Sequence, residues 1–399
     1  MGIGFTSEPG GFGKGEDNEA DMAAMLRQMG RVFSHLGQGP VPASLVREVA
    51  GEGVQSDPSV SGVDHAAVDE ACRLADLWLT DATIFPATTA SARGWSRAQW
   101  LDHSTPIWME IVTPLAASLS KQMGAAMEEM TGQFPAELPI GQMKSVLEQI
   151  GGAMLATQLG QALGSLASTV LTSTDLGIPM ASSGEKVLLP ANVREWGEDL
   201  GVAPDQVRLF LALRESAASR LFAETPWLKA HVINAIHAYA AGIKIDLEAM
   251  QEQAQRAMEQ MQGGDPEDLQ ATLELFSVEE SEEQRAALAR LETILALVEG
   301  WIDHVTTRAA GERLPSFGAL SEMARRRRAA GGPAEAIFGT VIGLTIRPRR
   351  IRDASNLWAA VEHARGVTGR DALWAHPEAL PSSSDLDDPL GFVEGLFNS

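Results

Sequence analysis

The chain has 399 residues, 45% of them hydrophobic, and carries 31 basic against 53 acidic side chains, a net charge of -22. That length and apolar share fill one large core or two ordinary ones, and so acidic a surface argues against binding to nucleic acid or anionic membranes. A single cysteine, Cys72, excludes an intrachain disulfide and suits a reducing, cytoplasmic setting.

In chain order, residues 1–19 are Gly-rich and acidic with no apolar run, and read as a flexible leader. Met1-Gly2 followed by Thr6 formally fits an N-myristoylation pattern, but turn-forming residues surround it. Asp21–Leu36 predicts a short amphipathic helix and Gly51–Ser61 a Gly/Ser/Asp linker. Residues 1–60 are therefore expected to stand outside a main domain of residues 61–392, with 393–399 as a tail. Val63–Thr80 predicts a helix, because Val68, Ala71, Cys72, Ala75 and Leu79 fall on one stripe. Pro86–Gly94 reads as a loop, Ser96–Met130 as a helix broken near Pro114, and Leu138–Thr172 as a long helix. Gly151–Thr172 carries no charge and holds a GxxxG pair, Gly160 and Gly164. Gln158, Gln161 and several Ser/Thr dilute it, so it is expected to be a small-residue helix packed in a core. Asp175–Gly184 reads as a loop, Lys186–Leu189 as a short strand and Asn192–Leu200 as a helix. Pro204 opens a helix to about Ala223, and Pro226 another to about Ala241. Ile245–Gly263 predicts a charged amphipathic helix. Ser281 with Gln284 marks the capped start of a helix to Ala309. Helices near Ser316–Ala330 and Ile351–Arg365 follow. The acidic C-terminus, from Pro381, is expected to be ordered only if Phe392 and Phe397 dock. The fold class is mainly α with minor β.

Two basic clusters interrupt the acidic chain, Arg325–Arg328 and Arg347–Arg350. The first sits in the last turn of a helix closed by Gly331, where cations complement the carbonyl end. An anion site or a contact with an acidic partner is the second reading.

Two helices carry carboxylates on or beside apolar stripes. In one, Val207, Phe210, Leu211, Leu221 and Phe222 recur at helical spacing, and the same face passes through Arg214, Ala217 and Ala218, with Glu215 adjoining. In the other, Leu288, Leu291, Leu295 and Ile302 form a ladder that includes Glu299, and Asp303 follows four residues later. A buried carboxylate must pair, bind a metal or take up a proton, and a structural salt bridge is the plainest reading. No P-loop or G-x-S-x-G is present, the GGFGKG of residues 10–15 lies in the leader, and Cys72 has no recognisable His partner.

LRESAASRLF, followed by ETPWLKAHVINAIHAYAAGIKID, resembles the active-site region of the zincin-like metallopeptidase type 2 family. Its members occur mainly in actinobacteria and are described as hydrolases or zinc-dependent metalloproteases. The resemblance continues through LVEGWIDHV, RRRRAAGGP, VIGLTIRPRRIRDASNLW and ALWAHPEALP. It implies a zincin-like metallopeptidase fold. In such a site H-E-x-x-H supplies two zinc ligands and a general base. A later E-x-x-x-D supplies the third ligand and an Asp that holds a ligand His. By that resemblance Glu215 stands at the general-base position, Glu299 at the third-ligand position and Asp303 behind the ligands.

The two His positions, however, hold Arg214 and Ala218, and neither side chain can donate a lone pair to zinc. Of the eight histidines, His231 and His237 lie about 240° apart around their helix, and His304 about 140° from Glu299. Arg214 is expected to replace the metal as the site's cation and to pair with Glu299; the alternative is that it reaches solvent or pairs with Glu215. Trp227 and Trp301 flank the cleft and are expected to line it. The resulting expectation is a pseudoenzyme without a cofactor that binds or scaffolds a peptide or protein, not nucleic acid or membrane. The alternative is an active zinc-dependent metalloprotease or hydrolase with a rearranged metal site.

Overall fold

Helix starts are written into the sequence, and most fall where local chemistry puts them. The computed structural model describes residues 39–54, 56–131, 140–198, 201–241, 281–329, 337, 339 and 350–398. In chain order these form α1 (Ala43–Gly53), α2 (Gly62–Leu79), β1 (Ala92–Gly94), α3 (Arg97–Thr131), α4 (Ile140–Ala167), β2 (Lys186–Leu188) and α5 (Pro190–Glu198). Then come α6 (Pro204–Glu224), α7 (Pro226–Ala241), α8 (Glu282–Ala310), α9 (Phe317–Ala329), α10 (Ile351–Ala372), α11 (Ser383–Asp387) and α12 (Pro389–Asn398). The fold is mainly α, with β1 and β2 paired in parallel from Ala92 against Lys186 to Gly94 against Leu188. Ser281 and Gln284 form the expected capping box on α8, and Ser61 with Asp64 forms another on α2. Each box satisfies two terminal N–H groups that a helix otherwise leaves open.

α8 is the central element. It packs against α6, α7 and α10, and burial runs along it from Ala287 to Ala310. α2 covers α6 from another side. This places the Arg214 helix, α6, between two layers, and residues 210–222 of it are all buried.

Several elements depart from the sequence expectation. α3 runs unbroken through Pro106 and Pro114. A proline removes one helical hydrogen bond, but Ile111, Val112, Leu115 and Ala116 are buried on either side of Pro114, and that packing holds the axis. α4 stops at Ala167 instead of Thr172: the Leu171 N–H is taken by Asp175 Oδ2 at 2.9 Å, and Thr172 bridges Leu188. β1 occupies the end of an expected loop, fixed by the Trp95 N–H on the Leu188 carbonyl at 2.9 Å. α10 continues past Arg365 across Gly366, whose φ of 69° suits glycine.

α1 falls inside the stretch expected to be leader and linker, yet Leu45, Val46, Val49 and Ala50 are buried. Its partner is α4. A Cβ on Gly160 would lie 2.7 Å from Val49 Cβ, and one on Gly164 2.7 Å from the Ala50 carbonyl oxygen. The GxxxG pair is thus a packing surface for α1, and among the described residues no helix is long and apolar enough to cross a membrane. At the other end α12 includes most of the expected tail. Phe392 packs against the core, while Phe397 stays 65% exposed beneath the Arg365 guanidinium. The helices expected at Asp21–Leu36 and Ile245–Gly263, and Arg347–Arg349, lie outside the described residues. Arg350 ties the start of α10 to Asp353 and to the Ser383 carbonyl.

Candidate functional site

α6 and α8 bring Arg214, Glu299 and Asp303 together, each no more than 7% exposed. Arg214 Nη2 donates to Glu299 Oε2 at 2.6 Å, and Nη1 lies 3.8 Å from Asp303 Oδ1. This is the pairing expected from two opposite charges on apolar helix faces; the solvent-directed reading of Arg214 does not hold. α9 adds more cations. Arg328 Nη2 lies 3.0 Å from the same Glu299 Oε2. Arg325 donates to Asp303 Oδ2 at 3.2 Å, which Ser355 Oγ also reaches at 3.3 Å. Arg327 forks onto both oxygens of Asp175 at 2.9 Å and reaches the Thr169 carbonyl at 2.7 Å. Arg326 alone of the run pairs within its own helix, with Glu322. The run does more than complement a helix end: three of its four members reach carboxylates on other elements.

These contacts shape the titration of the site. Burial, and then the neighbouring Arg328, lowers the Arg214 pKa to about 10, against the pull of Glu299 and Asp303. It remains a cation at neutral pH. Burial acts to raise the Asp175 carboxyl, but Arg327 outweighs it and holds the group below the ordinary carboxylate value.

Glu215 faces a different set of partners. It is fully buried and accepts from the hydroxyls of Ser173 and Thr174, from Thr174 N at 3.2 Å and from Val187 N at 3.0 Å. Both its oxygens are engaged, and they tie α6 to the 171–174 segment and to β2. Burial raises its pKa above 4.5, against the effect of those donors. A carboxyl raised on folding contributes stability that is fully present below its unfolded pKa and lost as pH rises through the folded one. The stability advantage of the native chain over Glu215→Gln is therefore expected to be largest below about pH 4.5 and to shrink toward neutrality. Urea unfolding of both proteins across that range checks this, and an advantage that grows with pH would contradict it.

A glutamate and an aspartate one turn apart on α8 thus face an Arg-Glu-Ser-Ala-Ala segment on α6. A family model for zincin-like metallopeptidases matches residues 20–393. The chain belongs to this family. Among solved structures, this zincin-like chain is similar to a provisionally assigned hydrolase with a novel fold from Chloroflexus aurantiacus. The TM-score is 0.62 and the identity 19%, and the match covers 90% of this chain and 99% of the other. At that identity the likeness is one of fold. No curated protein matches the zincin-like chain.

Zinc is the metal the family implies, and the residues present do not fit it. The Arg214 and Arg328 guanidiniums both sit on the Glu299 oxygen that would be a ligand. Ala218 is wholly buried and has no donor atom. Three histidines are engaged elsewhere: His304 with Glu362 at 2.8 Å, His237 with the Ile111 carbonyl at 3.1 Å, and His231 against the Trp227 ring. Among the described residues no group of three or more His, Cys, Asp or Glu side chains could hold a metal ion.

Among the described residues the expected cleft is also largely filled. What remains is a cavity of about 20 Å³ bordered by Arg214, Arg328, Glu299, Thr174 and Trp196, room for about one water molecule. Neither Trp227 nor Trp301 lines it. Trp227 donates to the Trp374 carbonyl at 3.2 Å, and Trp301 is buried with its Nε1 on Asp371 at 2.9 Å and its ring against Phe85. Nearness to the motif in sequence misled here. Trp196 enters from α5, and nothing in its spacing signals that role.

Proposed function

We propose that this zincin-like chain is a non-catalytic member of its family, a pseudoenzyme that acts by binding or scaffolding, with a peptide or protein as its partner. The observation that carries this reading is the 2.6 Å bond from Arg214 to Glu299. Hydrolysis in a zincin runs through metal-activated water, and the glutamate such a metal needs is held by a permanent cation. Glu215 supports the same reading: a general base must reach the proton it takes, and its oxygens accept four bonds from the 173–187 side. The cavity at the site is too small for a peptide, so binding would use another surface.

Plasma mass spectrometry on protein purified without chelators and dialysed against zinc tests the proposal. Well below one zinc per chain is expected. One tightly held equivalent would instead favour a zinc-dependent hydrolase with a rearranged site.

A further inference from the structure

A second cavity, of about 530 Å³, opens beside the first turn of α6, two turns before Arg214. That volume lies in the range of sites for small organic molecules. Its lining contains no aromatic ring and mixes aliphatic residues with four charged ones. Val68, Leu188, Val193 and Val207 lie behind it, none more than 6% exposed, so the apolar surface open to a ligand comes from Val63, 79% exposed, with Ala67, Val202 and Pro204. That exposed aliphatic surface stands in water, and a ligand chain would cover it.

Four charged side chains share the cavity, and they are not equivalent. Arg194 donates to Asp64 at 2.8 Å, and Asp64 also closes the Ser61 capping box, so that pair is satisfied internally. Glu198 is exposed and solvated. Arg208 is half-buried and has no ion-pair or hydrogen-bond partner among the described residues. A partly desolvated guanidinium gains from a counter-anion more than a solvated one does. Exposed aliphatic surface beside a cation that is unmatched among the described residues selects a molecule with an apolar chain and an anionic head.

We propose that this cavity binds an aliphatic carboxylate of medium chain length, its chain against Val63, Ala67, Val202 and Pro204 and its carboxylate on Arg208. If a methylene takes about the 30 Å³ of a liquid water molecule, a ten-carbon chain needs roughly 300 Å³, which leaves space for the head group and its water. The inference does not depend on the state of the zinc site.

Calorimetric titration of the full chain with decanoate tests it. Saturable one-to-one binding is expected, with affinity rising about fourfold per methylene from hexanoate to decanoate. Arg208→Gln should weaken decanoate about tenfold or more and leave decanol little changed. Ala67→Trp, which fills the cavity from its half-buried wall, should abolish both. Thermal unfolding checks that each variant folds; if Ala67→Trp does not, the decanoate-to-decanol contrast in Arg208→Gln decides alone. The proposal is overturned by no saturable decanoate binding, by binding that survives Ala67→Trp, or by equal affinities in the native chain and Arg208→Gln.

Discussion

Glu299→Leu is expected to destabilise the chain by about 3–5 kcal/mol, and Arg214→Met by only about 1–3 kcal/mol. The asymmetry follows from who is left unpaired. Without Glu299, two guanidiniums lose their nearest counter-charge, and Arg214, 7% exposed, keeps only Asp303 at 3.8 Å. Burial and Arg328 already press on its charged form, so removing the acid removes its main compensation. Without Arg214, Glu299 still has Arg328 at 3.0 Å, and no bare carboxylate remains. The joint change, Arg214→Met with Glu299→Leu, should cost less than Glu299→Leu alone. Arg328 is 18% exposed and can turn toward water once its acid is gone. Urea unfolding of the three variants at pH 7 reads these differences. Losses that simply add, within about 0.5 kcal/mol, would remove the paired-charge account of the site.

Arg214 and Glu299 were legible as partners because each stands on an apolar stripe where a lone charge is costly, and the two costs cancel. The same logic reaches local devices: the Ser281 box and the prolines opening α6 and α7 involve neighbours in the chain. It fails where partners are distant and aperiodic. Nothing in RRRR says that Arg327 meets Asp175 or that Arg328 meets Glu299, because the run shows no period and its acids lie far away in sequence. Glu215 was placed by resemblance at the general-base position, but its bonding comes partly from the backbone N–H groups of Thr174 and Val187, which every residue type carries. α1 was hidden by its glycines. Gly51 and Gly53 read as linker composition, whereas at Gly53 smallness serves packing: a Cβ there would lie 3.1 Å from Gly164 Cα. Gly160 and Gly164 declared a close-packed face, and the missing information was which element it faced.

Placing histidines at both positions, Arg214→His with Ala218→His, is expected to leave zinc affinity weak unless Arg328→Ala is added. The double change supplies two imidazoles and frees Glu299 from Arg214, so by ligand count alone it completes the three-ligand set of a catalytic zinc site. It does not free Glu299 from Arg328, which lies 3.0 Å from the ligand oxygen and would stand within a few ångströms of a dication. At an effective dielectric of about 20, like charges about 4 Å apart repel by roughly 4 kcal/mol. A gain of about a hundredfold or more on adding Arg328→Ala is therefore a modest expectation. Arg325 can stay, because it sits on Asp303, which in the family pattern holds a ligand and not the metal. Competition with a chromophoric zinc chelator measures the two affinities, and the rise in unfolding temperature with added zinc gives an independent reading. If the double variant already binds as tightly as the triple, Arg328 is not a second block on the metal, and the arginine from α9 merely neutralises an acid that Arg214 had left half-satisfied. If neither binds, α6 and α8 do not hold residues 214, 218 and 299 at the spacing a zinc site needs.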